Sequence, residues 1–163
     1  MEQKLKRKNH AYHVDVIWSG NTGSGTRSYK EYSRDHLLRA AGKQDIAGSS
    51  DPAFRGDPSR WNPEDLLVGS LSACHKLWYL GLCAASGVNV LAYEDHAEGI
   101  MEEEAGGAGQ FIQVTLNPAI TISADSDPDV AIALHHKAHE MCFIARSVNF
   151  PVEHNPTIVK SGD

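Results

Sequence analysis

Cysteine is scarce in this chain. Its three cysteines, at positions 74, 83 and 142, form neither a CxxC pair nor the dense framework of a small secreted disulfide scaffold. The first residues lack the apolar stretch of a secretory leader, so a reducing cytoplasm is the expected compartment. Positive charge is short as well: 15 Lys and Arg stand against 21 Asp and Glu, for a formal charge of −6, and the dense basic run is confined to residues 4–8. Nucleic acid is therefore not an expected partner. The sequence also has no internal repeat and no low-complexity segment. At 163 residues and 41% hydrophobic, a single domain over residues 1–163 with a substantial core is expected.

One apolar run, residues 66–85, is long enough to cross a bilayer. Lys76 near its middle would cost about 2.5–3.5 kcal/mol there, so the expectation is a buried helix of a soluble protein with no membrane partner. Its start is well marked. Asn62 suits a cap, Pro63 the first helical position, and Glu64 and Asp65 oppose the positive end of the dipole. It should run from Pro63 to about Ser86 and end at Gly87. Leu66, Leu67, Val68, Leu71, Leu77, Trp78, Leu80 and Leu82 lie on nearly every face, so the helix must be surrounded by other structure or shared between subunits.

Tyr12, Val14, Val16 and Trp18 alternate as in a half-buried strand, a glycine-rich turn follows, and residues 27–34 should return as a second strand carrying Tyr29 and Tyr32. Residues 41–60 read as a long connection. Beyond the helix, residues 88–101 and 111–123 alternate across an acidic, glycine-rich turn as a long hairpin. Asp127-Pro128 opens a second helix, a short helical turn is expected over residues 143–148, and a final strand over residues 152–159. The fold class is α+β.

Cys74 sits inside the first helix with His75 and Lys76 as its only strongly polar neighbours, and Cys142 lies on another element, near the end of the second helix. A cysteine reacts as its thiolate, and apolar burial opposes ionisation unless a cation offsets the loss of water. At about three turns into the helix Cys74 is beyond the reach of the dipole, so the charge must come from another segment, where Arg27, Arg55 and Arg60 stand. The alternative is a small buried thiol that packs like alanine. Cys83, nine positions on, falls on the opposite face and reads as core. His135, His139 and Cys142 share a helical face, and with Cys74 they could draw a zinc site, although the spacing is loose. Solvent-facing or edge positions are the other reading of these histidines. His75 could assist proton transfer, but a neighbour at i+1 more often points away and merely packs or hydrogen-bonds.

The segment from Asn62-Pro63-Glu64 through Ala73-Cys74-His75, with ten positions from the glutamate to the cysteine, resembles the signature of the OsmC/Ohr family of thiol-dependent hydroperoxide reductases. Cys142, in Cys142-Phe143-Ile144-Ala145-Arg146, matches the second family cysteine, and the order of elements agrees over nearly the whole chain. Phe143 stands where many members have proline and His75 where phenylalanine is common. The resemblance implies an OsmC-like fold, with antiparallel sheets and a long central buried helix, in an intertwined homodimer. It implies peroxide reduction in oxidative stress defence, with Cys74 attacking the O–O bond and Cys142 resolving the sulfenic acid as a disulfide that an external dithiol reopens. An arginine, Arg55 or Arg27, would activate Cys74 and be held by Glu64, while Trp78 and Tyr79 would line or support the substrate channel. It implies no cofactor and no metal. A Cys/His metal-binding protein using Cys74, His139 and Cys142, or a non-enzymatic binding module on the same fold, are the alternatives.

Overall fold

The computed structural model describes residues 8–162, so most of the basic run at residues 4–8 lies outside the described part. The chain divides into two compact units, Met1–Pro63 and Glu64–Asp163.

The first unit is an antiparallel meander of β1 (Asp15–Trp18), β2 (His36–Arg39) and β3 (Ile46–Gly48), in register with Trp18 opposite His36 and His36 opposite Gly48. The expected strand over residues 27–34 does not form. Arg34 turns its guanidinium back onto this segment, donating to the Tyr32 and Tyr29 carbonyls at 2.5 and 2.7 Å and lying 4.1 and 4.3 Å from the centres of those two rings. Carbonyls taken by a guanidinium are lost to a sheet ladder, so the segment coils and the returning strand starts later, at His36. The long connection over residues 41–60 also holds more order than its composition suggests. It contains β3 and a 3-10 turn, Pro52–Phe54, whose Asp51 cap accepts from the Ala53 N–H at 2.7 Å.

The second unit is built on α1 (Pro63–Ala85), which stops where Gly87 takes φ +75°. Within the chain α1 buries a single stripe, Leu71, His75, Tyr79 and Cys83, at every fourth position, whereas Leu77 remains 66% exposed. It is long and apolar enough to cross a membrane, by length and composition alone. The hairpin forms, but in two halves: β5 (Glu98–Glu103) pairs with β6 (Gly109–Leu116), and β4 (Val90–Asp95) pairs with β7 (Pro118–Ile122) in a different sheet. Asp95 clamps the break. One of its oxygens accepts from the Asn117 N–H at 2.7 Å and the other from the Ser72 hydroxyl of α1, while the Asn117 amide donates to the His96 carbonyl.

α2 (Pro128–Met141) is capped by Asp127, whose carboxylate accepts from the N–H groups of Asp129 and Val130. After the 3-10 turn Ala145–Ser147, the expected final strand splits in two. β8 (Val152–His154) runs parallel to β6 and β9 (Thr157–Lys160) parallel to β7, so the chain changes sheet at Asn155-Pro156 to follow the break in the hairpin. The sheets β4-β7-β9 and β5-β6-β8 carry two core clusters. One joins Tyr79 and Cys83 of α1 to Ile120, Ile122 and Ala131, and the other joins Leu71 to Val114 and Leu116.

Asp95 therefore holds both the hairpin break and α1. Replacing it with alanine should lower the unfolding free energy by about 1–3 kcal/mol, seen as a lower urea midpoint, because partly buried donors on Ser72 and Asn117 lose their acceptor. An unchanged midpoint would show that water replaces the carboxylate without loss.

Candidate active site

Cys74 lies half-buried on α1, beside the buried stripe. Cys142 is the residue that ends α2, 1% exposed, with its N–H held by the His139 carbonyl at 3.3 Å. The packing of the second unit brings these two thiols together, and Cys142 faces Cys74 within hydrogen-bonding reach. All three cysteines are free thiols. Burial pushes the Cys142 thiol up to about 11, and the Cys74 sulfur opposite pushes the same way. The N–H groups of Ala145 and Ile144 act against the rise, and Ala145 reaches the sulfur at 3.4 Å. At neutral pH Cys142 is therefore a protonated thiol, held ready beside Cys74.

Cys83 behaves differently. It is 1% exposed in the other core cluster, beside Tyr79 and Val88, and burial raises its pKa, so it is core as the helical arithmetic expects.

Aromatic rings flank the thiol pair. Trp78, one helical turn after Cys74, meets Phe143, the residue after Cys142, edge to face with centroids 5.6 Å apart. Phe143 is 68% exposed, so this pair offers an apolar wall open to solvent. Tyr79 is fully buried and stacks on His135, so it supports the site from within the core and does not line an open surface. The wall at Phe143 went unnoticed in the sequence; its position directly after Cys142 was the available signal.

Glu64 lies half-buried in the first turn of α1. Arg27 and Arg55 are both exposed residues of the first unit, and neither makes a side-chain hydrogen bond or ion pair with another described residue. Arg60 is already engaged, lying 3.5 Å from Asp35 and from Asp57. Arg55 adopts φ +67°, the only positive φ of a non-glycine residue among those described.

Of the α2 histidines, His136 and the half-buried His139 suit the surface and edge positions considered for them, whereas His135 does not. His75 and His135 are 1% and 0% exposed and share a hydrogen bond of 3.0 Å, while His136 alone of the α2 histidines is fully exposed. Among the described residues no group of three or more His, Cys, Asp or Glu is placed to hold a metal ion, so the Cys/His metal alternative gains no support. Burial, and then the charges of His154 and His139, hold His75 down at about 4; burial, then His75 and His154, hold His135 at about 3.

An unfolded imidazole titrates near 6.5, so below that pH the unfolded chain binds more protons than the folded one. The contribution of His75 and His135 to stability is complete above about pH 6.5 and is lost as pH falls towards 4. The urea midpoint should be flat above neutrality and fall steeply between about pH 6 and 4, with a shallower fall in His135→Phe. A midpoint insensitive to pH over this window would contradict the buried, neutral state of the pair.

Comparison with known proteins bears on the family and the fold. Residues 56–156 match the family described as OsmC-like protein. Among solved structures, the OsmC-like protein of unknown function VCA0330 from Vibrio cholerae is similar at 30% identity and a TM-score of 0.82, over 91% of this chain and 100% of that one. An organic hydroperoxide resistance protein from Elizabethkingia anophelis shares the fold at 14% identity and a TM-score of 0.68, over 96% of this chain and 100% of that one. OhrB, the organic hydroperoxide resistance protein of Bacillus subtilis, does so at 18% identity and 0.61, over 92% and 98%. No curated protein matches the sequence. With its thiol-bearing helix inside the matched segment and its architecture shared end to end, the chain belongs to the OsmC-like family.

Proposed function

We propose that this protein is a thiol-dependent peroxidase that reduces organic hydroperoxides, and inorganic ones, to alcohols or water in oxidative stress defence. The observation that carries this reading is the meeting of Cys74 and Cys142, far apart in sequence, as two free thiols in contact. Cys74 is the attacking sulfur. The S–O bond forms as the O–O bond breaks, an alkoxide leaves and is protonated, and Cys74 becomes a sulfenic acid. Cys142 then attacks that sulfur, water departs, and the resulting disulfide is reopened by an external dithiol.

The wall of Trp78 and Phe143 suits the hydrocarbon part of an organic hydroperoxide, with Tyr79 supporting it from the core. Arg55 is the favoured activator of Cys74, with Arg27 as its rival, and Glu64 orients the guanidinium. Two facts favour Arg55 over Arg60: the latter is engaged by Asp35 and Asp57, and Arg55 holds a left-handed backbone that costs a non-glycine residue about 1–2 kcal/mol. The working unit is a homodimer in the cytoplasm, which would cover Leu77 and the outward residues of α1. The reaction needs no metal or organic cofactor, no nucleic acid and no membrane.

Consumption of cumene hydroperoxide in the presence of dithiothreitol tests the reading. Cys74→Ser should abolish it, and Cys142→Ser should leave a sulfenic acid on Cys74 that dimedone traps after one turnover. Equal consumption by wild type and Cys74→Ser would remove Cys74 from the chemistry. Glu64→Ala should slow the first oxidation about tenfold or more while the urea midpoint falls by less than about 1 kcal/mol in equivalent stability. Loss of folding on that change would make Glu64 structural.

A further inference from the structure

Three ring nitrogens in the interior of the second unit, His75 Nδ1, His135 Nε2 and His154 Nδ1, have no hydrogen-bond partner among the described residues. An unpaired buried polar atom costs about 1–3 kcal/mol, so aliphatic side chains would make a cheaper core here. The proposed peroxidase chemistry leaves these rings unused.

Their geometry is that of a proton path. His75 Nε2 and His135 Nδ1 are 3.0 Å apart, their ring planes differ by 10°, and their centroids are 5.3 Å apart. Stacked faces would bring the centroids closer, as Tyr79 does on His135 at 3.8 Å. The two imidazoles therefore meet edge to edge, nearly in one plane, through an N–H···N bond. A neutral imidazole carries one donor and one acceptor nitrogen, so a proton taken up at one outer atom of such a pair releases another from the far outer atom. Those outer atoms, His75 Nδ1 and His135 Nε2, are the unpartnered ones.

The array continues outward. His154 of β8 lies 5.5 Å from His75 and His139 of α2 lies 5.6 Å from His154, centroid to centroid. His75 and His135 are sealed, whereas His154 and His139 are half-buried, so the cluster extends from the interior to rings that water reaches, with His75–His135 its one direct hydrogen bond among the described residues. Along the chain its members also adjoin both thiols. His75 follows Cys74 on α1, and His139 precedes Cys142 by one turn of α2.

We propose that His75, His135, His154 and His139 form a proton relay that carries the protons of the Cys74–Cys142 reaction between the buried site and solvent. This rests on the reading of that pair as redox-active. Cys74 releases its thiol proton to the relay before its sulfur attacks the peroxide. When the O–O bond breaks, the sulfur is oxidised, the peroxide is reduced, and the departing alkoxide takes a proton back. In the second step the S–S bond forms and the S–OH bond breaks, and the relay moves the Cys142 proton to the departing hydroxide, which leaves as water. The groups that act on the rings are themselves mostly histidines: His154 and His139 on His75, His75 and His154 on His135, and His139 and His136 on His154. Near neutral pH the buried pair is held uncharged, which keeps both a donor and an acceptor on each ring.

The test is single-turnover closure of the disulfide, followed by thiol loss, in wild type, His135→Phe and His135→Ala. Phenylalanine keeps a ring against Tyr79 but cannot pass a proton, so closure with cumene hydroperoxide should slow about tenfold or more. His135→Ala should be slow likewise and be restored by added imidazole but not by thiophene, a ring of similar size with no nitrogen. Closure at the wild-type rate in His135→Phe overturns the relay, as does equal rescue by thiophene. If His135→Phe does not fold, the alanine variant with its two rescue compounds decides alone. A parallel series uses diamide, a two-electron thiol oxidant that is not a peroxide and that Cys74 can attack only after shedding its proton. If wild type ignores the peroxide but closes with diamide, and the variants show the same losses, the relay stands and the hydroperoxide reading falls. If wild type closes with neither oxidant, both are overturned.

Discussion

The structure of the second unit depends on one constraint: two helices far apart in sequence must set two thiols against each other, with Cys142 in a setting that resists its ionisation. Burial first, and then the facing Cys74 sulfur, push Cys142 up to about 11 against the opposing N–H groups of Ala145 and Ile144. In the proposed chemistry one sulfur attacks the substrate and the other waits as a thiol until its target appears. The hydrogen bonds that end α2 at Cys142, and the N–H of Ala145 directed at its sulfur, fix the waiting partner in place.

The rest of the second unit can be read as support for that encounter. α1 is held to the hairpin by Asp95, which also stabilises the point where the hairpin passes from one sheet to the other. The final segment changes sheet at the same level, so β8 carries His154 towards His75 and His139. The interior of the second unit thus holds titratable rings where hydrocarbon would be cheaper, while Trp78 and Phe143 form an apolar pair with Phe143 open to solvent.

Much of this was legible in the sequence because its signals are local. Pro63 with two acidic residues behind it, Asp127-Pro128, and Gly87 mark helix ends through backbone chemistry that acts within one turn. The thiol pair was legible through its motif. The failures came where a distant or competing partner decided the outcome. Residues 27–34 are expected from the sequence to return as a strand carrying Tyr29 and Tyr32, but one guanidinium takes the carbonyls of those two residues. The last strand breaks because its two halves pair with different neighbours. His135 was indistinguishable from a surface histidine, since its burial depends on His75 and Tyr79, which lie on another helix.

The most direct measurement of the central claim is peptide mapping of the protein after one equivalent of organic hydroperoxide and alkylation of the remaining thiols. The account predicts a single new species in which the peptides bearing Cys74 and Cys142 are joined, with Cys83 still a free thiol. A disulfide that includes Cys83, or three thiols left intact after the peroxide is given time to react, would contradict it.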